Sequence, residues 1–182
     1  MSSVLTQNHF EIFSLPTQYA LDRALLDRRY RELQRSVHPD RFASAGDQER
    51  RISMQQAAQI NEAYQVLKDP LKRGRYLLEL RGHVIDDQQT THQDPAFLVQ
   101  QIELRESLDD VRQQGEPLNA LEALAGRIRE QYDALEAALA EALDGGGADP
   151  AQAVTLVLRM QFFTRLHNEV QALEADLEDE LF

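Results

Sequence analysis

Two apolar stripes of helical period flank a single proline, and that arrangement constrains the fold of this chain more than any other feature. Leu26, Tyr30, Leu33 and Val37 recur at i, i+4, i+7 and i+11, and Ala57, Ile60, Tyr64 and Leu67 at i, i+3, i+7 and i+10. Two amphipathic helices joined by a short connection pack as an antiparallel hairpin, which predicts an exposed tip at His38-Pro39-Asp40. Pro39 has a fixed φ and no amide donor, and it disfavours helical backbone at the residue before it. It therefore ends the first helix and holds His38 and Asp40 outward. Taken alone, the tripeptide reads as a helix stop with local turn hydrogen bonds; the flanking stripes make it a presented feature.

The remaining apolar spacing is helical too. Phe10, Ile12, Phe13 and Leu15 form a short element, about His9 to Leu15, that ends at Pro16 and can lid the hairpin. Asp22 is a candidate N-cap for a helix running to Ser36. The next helix starts near Asp47 and stops before Pro70, and Leu71 to Leu80 suggest a further short helix stopped by Gly82. Gly82 to Asp94 is polar and aperiodic, and reads as a connection. Beyond it, Asp94-Pro95 and Asp149-Pro150 each carry the signature of a cap followed by a first helical residue. Three long amphipathic segments, to about Gln114, from Leu118 to Leu143, and onward from Pro150, predict an antiparallel three-helix bundle. No segment alternates with period two, so the predicted class is all-α.

Charge divides the chain at the same place. Residues 1–93 carry 13 basic and 12 acidic side chains, whereas residues 94–182 carry 6 and 19 and contain no lysine. The overall charge of −12 argues against nucleic acid or an anionic membrane as partner. No apolar run reaches membrane-spanning length, and the first residues lack the pattern of a secretory signal. The chain has no cysteine, which removes disulfides and thiolate chemistry. Its five histidines show no ligand spacing, no glycine-rich phosphate loop is present, and no residue pair suggests acid–base or nucleophilic chemistry. Neither an enzyme nor a resident metal or cofactor is expected.

One helix of the acidic half carries two apolar faces. On a wheel of about 100° per residue, with Phe97 at zero, Leu104, Leu108 and Val111 fall within about 40° of it. Leu98, Val99 and Ile102 fall on the far side, at about 100° to 200°, with Glu103 and Glu106 beside them. If the first stripe faces the bundle, the second is left exposed and rimmed by charge, as at a binding surface. Phe162, about 70° off the apolar stripe of the last helix, is expected to flank that patch.

The set Tyr30, His38-Pro39-Asp40-Arg41-Phe42, Ile60-Asn61-Glu62-Ala63-Tyr64, Val66-Leu67, Asp69-Pro70 and Arg73 resembles a J-domain. This is the module by which co-chaperones stimulate the ATPase of heat-shock chaperones. Phe97-Leu98, Ile102-Glu103-Leu104-Arg105-Glu106 and Leu108-Asp109 resemble the C-terminal domain of HscB-type co-chaperones of iron–sulfur cluster assembly. The implied division is a J-domain over residues 1–77, a helix end and connection over 78–93, and a client-binding acidic bundle over 94–182.

The resemblance implies two partners, an HscA-type chaperone in its ATP-bound state and an IscU-type scaffold protein. Arg31, Arg35, His38, Pro39, Asp40 and Arg41 would meet the chaperone, and Leu98, Val99, Ile102, Glu103, Arg105, Glu106 and Phe162 the scaffold. Arg28, Arg31 and Arg35 share one helix side, which would suit an acidic docking surface. Asp27 and Glu32 stand where many general J-domains are basic, which implies a partner surface belonging to a dedicated chaperone. Absence of an added cysteine-rich N-terminal segment points to a bacterial, cytoplasmic form. Two other readings stay open on the residues alone: a J-domain protein with a different client, or a helical protein that self-associates through Leu98, Val99 and Ile102.

Overall fold

The computed structural model describes residues 7–38, 46–85, 94–146 and 149–180. Among them every regular element is helical. The chain divides into two compact units, Met1–Arg81 and Gly82–Phe182.

The first unit contains α1 (His9–Ile12), α2 (Arg23–Ser36), α3 (Asp47–Lys68) and α4 (Pro70–Leu80), with α3 packed against the other three. Asn8 and Glu11 make a reciprocal capping box at the start of α1. This helix is a single turn, shorter than its apolar run suggests, because Ser14 takes a φ of +51° and Leu15 N–H donates back to the Phe10 carbonyl at 2.9 Å. Phe10, Ile12, Phe13 and Leu15 are nevertheless all buried, so the segment lids the hairpin as anticipated. Asp22 caps α2 by accepting from Leu25 N–H at 2.9 Å.

Leu26, Ile60, Ala63 and Leu67 are fully buried and form the apolar base of the hairpin unit. Asp69-Pro70, which marks the stop of α3, also starts α4: Asp69 accepts from Lys72 N–H at 3.0 Å and Pro70 is the first helical residue. Arg73, in the first turn of α4, is buried, donating to the Leu67 carbonyl at 2.7 Å with its guanidinium over the Tyr19 ring.

The second unit comprises α5 (Pro95–Asp109), a 3-10 turn (Val111–Gln113), α6 (Pro117–Asp144) and α7 (Pro150–Asp179). Asp94 accepts from Ala96 and Phe97 N–H, and Asp149 from Ala151 N–H, so both expected caps form. Asp94 also pairs with Arg159, tying the start of α5 to α7. Phe97, Leu104, Leu108 and Val111 all face a core shared with Leu121, Leu124, Ile128, Phe163, Leu166, Val170 and Leu177. The α-helix itself stops at Asp109, and Val111 enters the core from the 3-10 turn instead.

His9 lies half-buried, its ring stacked on Tyr76 with centroids 4.2 Å apart. Nδ1 is buried without a hydrogen-bond partner. Burial pushes the imidazole below its usual range, against the opposing pull of Glu62 and Glu79. The neutral ring therefore contributes its full stability above about pH 6.5, and that contribution is lost as pH falls through the lowered value. Substituting His9→Phe keeps a stacking ring but removes the titration. Thermal unfolding of the variant should lose less midpoint temperature than wild type between about pH 7 and about pH 5.

Candidate functional site

The first candidate surface is the outer side of the hairpin leading to His38. Two tyrosines join the middle of α2 to the C-terminal part of α3: Tyr30 and Tyr64 stack with ring centroids 3.9 Å apart and planes 13° from parallel. Tyr30 donates its hydroxyl to Asn61 Oδ1 at 2.9 Å and accepts from Gln34 Nε2 at 3.1 Å, while Gln34 also reaches Asn61. Tyr64 donates to Asp27 Oδ1 at 2.9 Å. Burial, together with that hydrogen bond to a carboxylate, lifts the Tyr64 phenol above its usual range.

This clasp gives Asp27 a task inside the hairpin. Arg29 likewise points inward, donating to the Phe13 and Ser14 carbonyls and fastening the N-terminal lid to α2.

With those groups turned in, Arg28, Arg31 and Arg35 are exposed on α2, and among the described residues none of them is held in an ion pair. Val37 caps α2 and is buried, and His38 follows it directly at the surface. Pro39, Asp40 and Arg41 lie outside the described residues.

The second candidate surface lies on α5. Val99 and Ile102 are 54% and 56% exposed, Leu98 is half-buried beside them, and Glu103, Arg105 and Glu106 are exposed around them. The wheel thus separates the two faces of α5 correctly for these residues.

Phe162 differs from its expected place: it is only 5% exposed and belongs to the core. Because α7 packs against α5 as well as α6, its inward arc is wider than the single stripe read from spacing. That arc also takes in Ala153, Val157 and Met160. Phe162 meets Phe97 edge-on at 5.6 Å and Phe163 edge-on at 5.3 Å. It underlies the patch instead of extending it: the Arg105 guanidinium lies 6.0 Å above its ring, with Glu169 3.9 Å away. So exposed an ion pair contributes little stability, leaving Arg105 able to exchange partners at small cost.

Among the described residues no three His, Asp or Glu side chains converge as a metal site, and no helix is long and apolar enough to cross a membrane.

A helical hairpin with His38 at its end and a tyrosine clasp behind it defines the class: residues 8–76 match the DnaJ domain family, so the first unit is a J-domain. Residues 93–171 match the family described as the HSCB C-terminal oligomerisation domain. A co-chaperone protein HscB homolog of Burkholderia multivorans is 48% identical over 168 residues, covering 92% of this chain and 94% of its own. The corresponding protein of Vibrio atlanticus is 42% identical over 167 residues, covering 92% and 96%. The solved structure of chaperone HscB from Vibrio cholerae superimposes with a TM-score of 0.84 at 40% identity, covering 94% of this chain and 99% of its own. Human co-chaperone HscB does so with a TM-score of 0.85 at 26% identity, covering 93% and 83%. This chain belongs to the HscB co-chaperone family.

The tyrosine clasp has a measurable worth. Tyr64→Phe keeps the stack and removes only the bond to Asp27, so denaturant unfolding should show a loss of about 0.5–1.5 kcal/mol. Asp27→Asn should cost less than that, because its amide oxygen still accepts.

Proposed function

We propose that this chain stimulates the ATPase of a dedicated HscA-type chaperone through His38-Pro39-Asp40, and brings to it an IscU-type iron–sulfur scaffold held on α5. One observation carries the reading: a J-domain with an exposed arginine face, unpaired among the described residues, and a helix with Val99 and Ile102 turned to solvent occur on the same chain.

In this reading Arg31, Arg35 and Arg41 meet an acidic surface on the chaperone, setting encounter rate and orientation more than final affinity. His38 and Asp40, held by Pro39, engage the ATP-bound state and bias it toward hydrolysis. The scaffold rests on Leu98, Val99 and Ile102, with Glu103, Arg105 and Glu106 as a charged rim. Phe162 contributes from beneath by supporting Arg105.

Burying each aliphatic side chain of the patch contributes roughly 1.5–3 kcal/mol, part of which offsets the cost of association. Binding of about micromolar strength follows, suited to an adaptor that must release its client. Carrying both surfaces on one body raises the scaffold's effective concentration at the chaperone when hydrolysis closes its clamp. Such a role fits a bacterial cytoplasm, and it leaves ATP chemistry to the partner.

Two substitutions separate the two surfaces. His38→Gln should abolish ATPase stimulation at matched concentrations while leaving scaffold binding by titration calorimetry unchanged; normal stimulation would refute the assignment of the tip. Ile102→Glu should weaken scaffold binding about tenfold or more while stimulation without scaffold stays normal. A change from dimer to monomer in that variant would instead favour self-association through α5.

A further inference from the structure

Ser53 has an unusual place for a hydroxyl in this chain. It lies in the second turn of α3 and is 3% exposed, between Ile52 at 41% and Met54 at 67%. A serine or threonine within a helix commonly bonds a carbonyl one turn back in its own helix. Ser107, Thr155 and Thr164 do so with Glu103, Ala151 and Met160, and Ser36 bonds Leu33. Ser53 instead reaches across to α2, donating to the Val37 carbonyl at 2.9 Å.

That carbonyl is one of the last of α2, where the helix itself provides no donor. Val37 is the C-cap, with φ −104° and ψ 10°, and its own N–H still closes onto Leu33 O at 3.2 Å. The Val37 C=O and the His38 N–H share one rigid peptide plane. A hydrogen bond that orients the carbonyl therefore orients the bond by which the chain leaves the helix into His38. Burial adds to the restraint, because a buried carbonyl deprived of its donor is costly to leave unsatisfied.

We infer that Ser53 is a positioning residue for His38: its hydroxyl fixes the departure angle of the chain from α2 and so pre-orders His38 for the chaperone. This inference rests on the ATPase-stimulating role proposed above. Pre-ordering lowers the cost of docking without altering the docked state. Removing it raises the concentration needed for half-maximal stimulation and leaves the plateau where it was.

The test compares wild type, Ser53→Ala and Ser53→Thr, the last retaining a hydroxyl. Its first arm needs no chaperone: in the full chain, the carbonyl carbon shift of Val37 and the backbone order parameter of His38 are read by NMR. The alanine variant should shift the former and lower the latter.

In the second arm, each variant is titrated against an HscA-type ATPase. Alanine should raise the half-saturating concentration about threefold to tenfold, the factor to which one ordinary hydrogen bond converts, with an unchanged plateau. Threonine should restore the wild-type value. The inference is overturned if the NMR markers stay put, or if they move while half-saturation does not. It is also overturned if half-saturation and plateau worsen together with a lowered melting temperature, the pattern of general fold damage. Failure of wild type itself to stimulate would refute the proposed function, and the NMR arm would still decide whether Ser53 holds the corner.

Discussion

The register between α2 and α3 is the constraint on which the J-domain depends. Apolar burial at Leu26, Ile60, Ala63 and Leu67 supplies most of the adhesion, but apolar contact is non-directional and tolerates sliding. The polar clasp does not. Tyr30, Gln34 and Asn61 share one set of hydrogen bonds, Tyr64 is tied to Asp27, and the two rings stack between them. A shift of one helix along the other would break the stack and strand all of these groups. With that register held, α2 ends at a defined height beside α3, and His38 emerges at a defined point.

The two units divide the electrostatics. The J-domain half is near neutral, with Arg28, Arg31 and Arg35 gathered on the outer side of α2, whereas the second half carries the whole of the net negative charge. Each half is adhesive in a different way. The arginine face offers long-range attraction with little apolar area, and α5 offers apolar area behind a charged rim. Partners that differ in surface chemistry can therefore occupy one chain without competing for the same face.

Helix existence and most caps were legible because they depend on local spacing: Asp22, Asp94 and Asp149 cap as read, and the two faces of α5 separate as the wheel places them. What escaped depends on neighbours. Phe162 was misplaced because a wheel assumes one buried direction, and α7 buries against two helices. Asp27 looked like an outward departure from the usual J-domain charge pattern until Tyr64 was found opposite it. Asp69-Pro70 was read as the end of α3, although the same pair caps α4, since a stop and a start can share two residues. Ser53 lies one turn before Ala57 on the α3 stripe, but a hydroxyl does not stand out in an apolar pattern; only the approach of Val37 gives it a partner. The HscB family itself was legible from short motifs on both units, which join buried packing positions such as Ile60, Ala63, Leu67, Arg73 and Phe97 to exposed ones such as Ile102, Glu103 and Glu106.

In the proposed function the two surfaces act together on one chaperone. Steady-state ATP hydrolysis by an HscA-type chaperone, measured with this chain and an IscU-type scaffold added separately and then jointly, tests it most directly. The rate with both present should lie well above the sum of the two separate stimulations. A merely additive rate, or none above the chaperone alone, would contradict it.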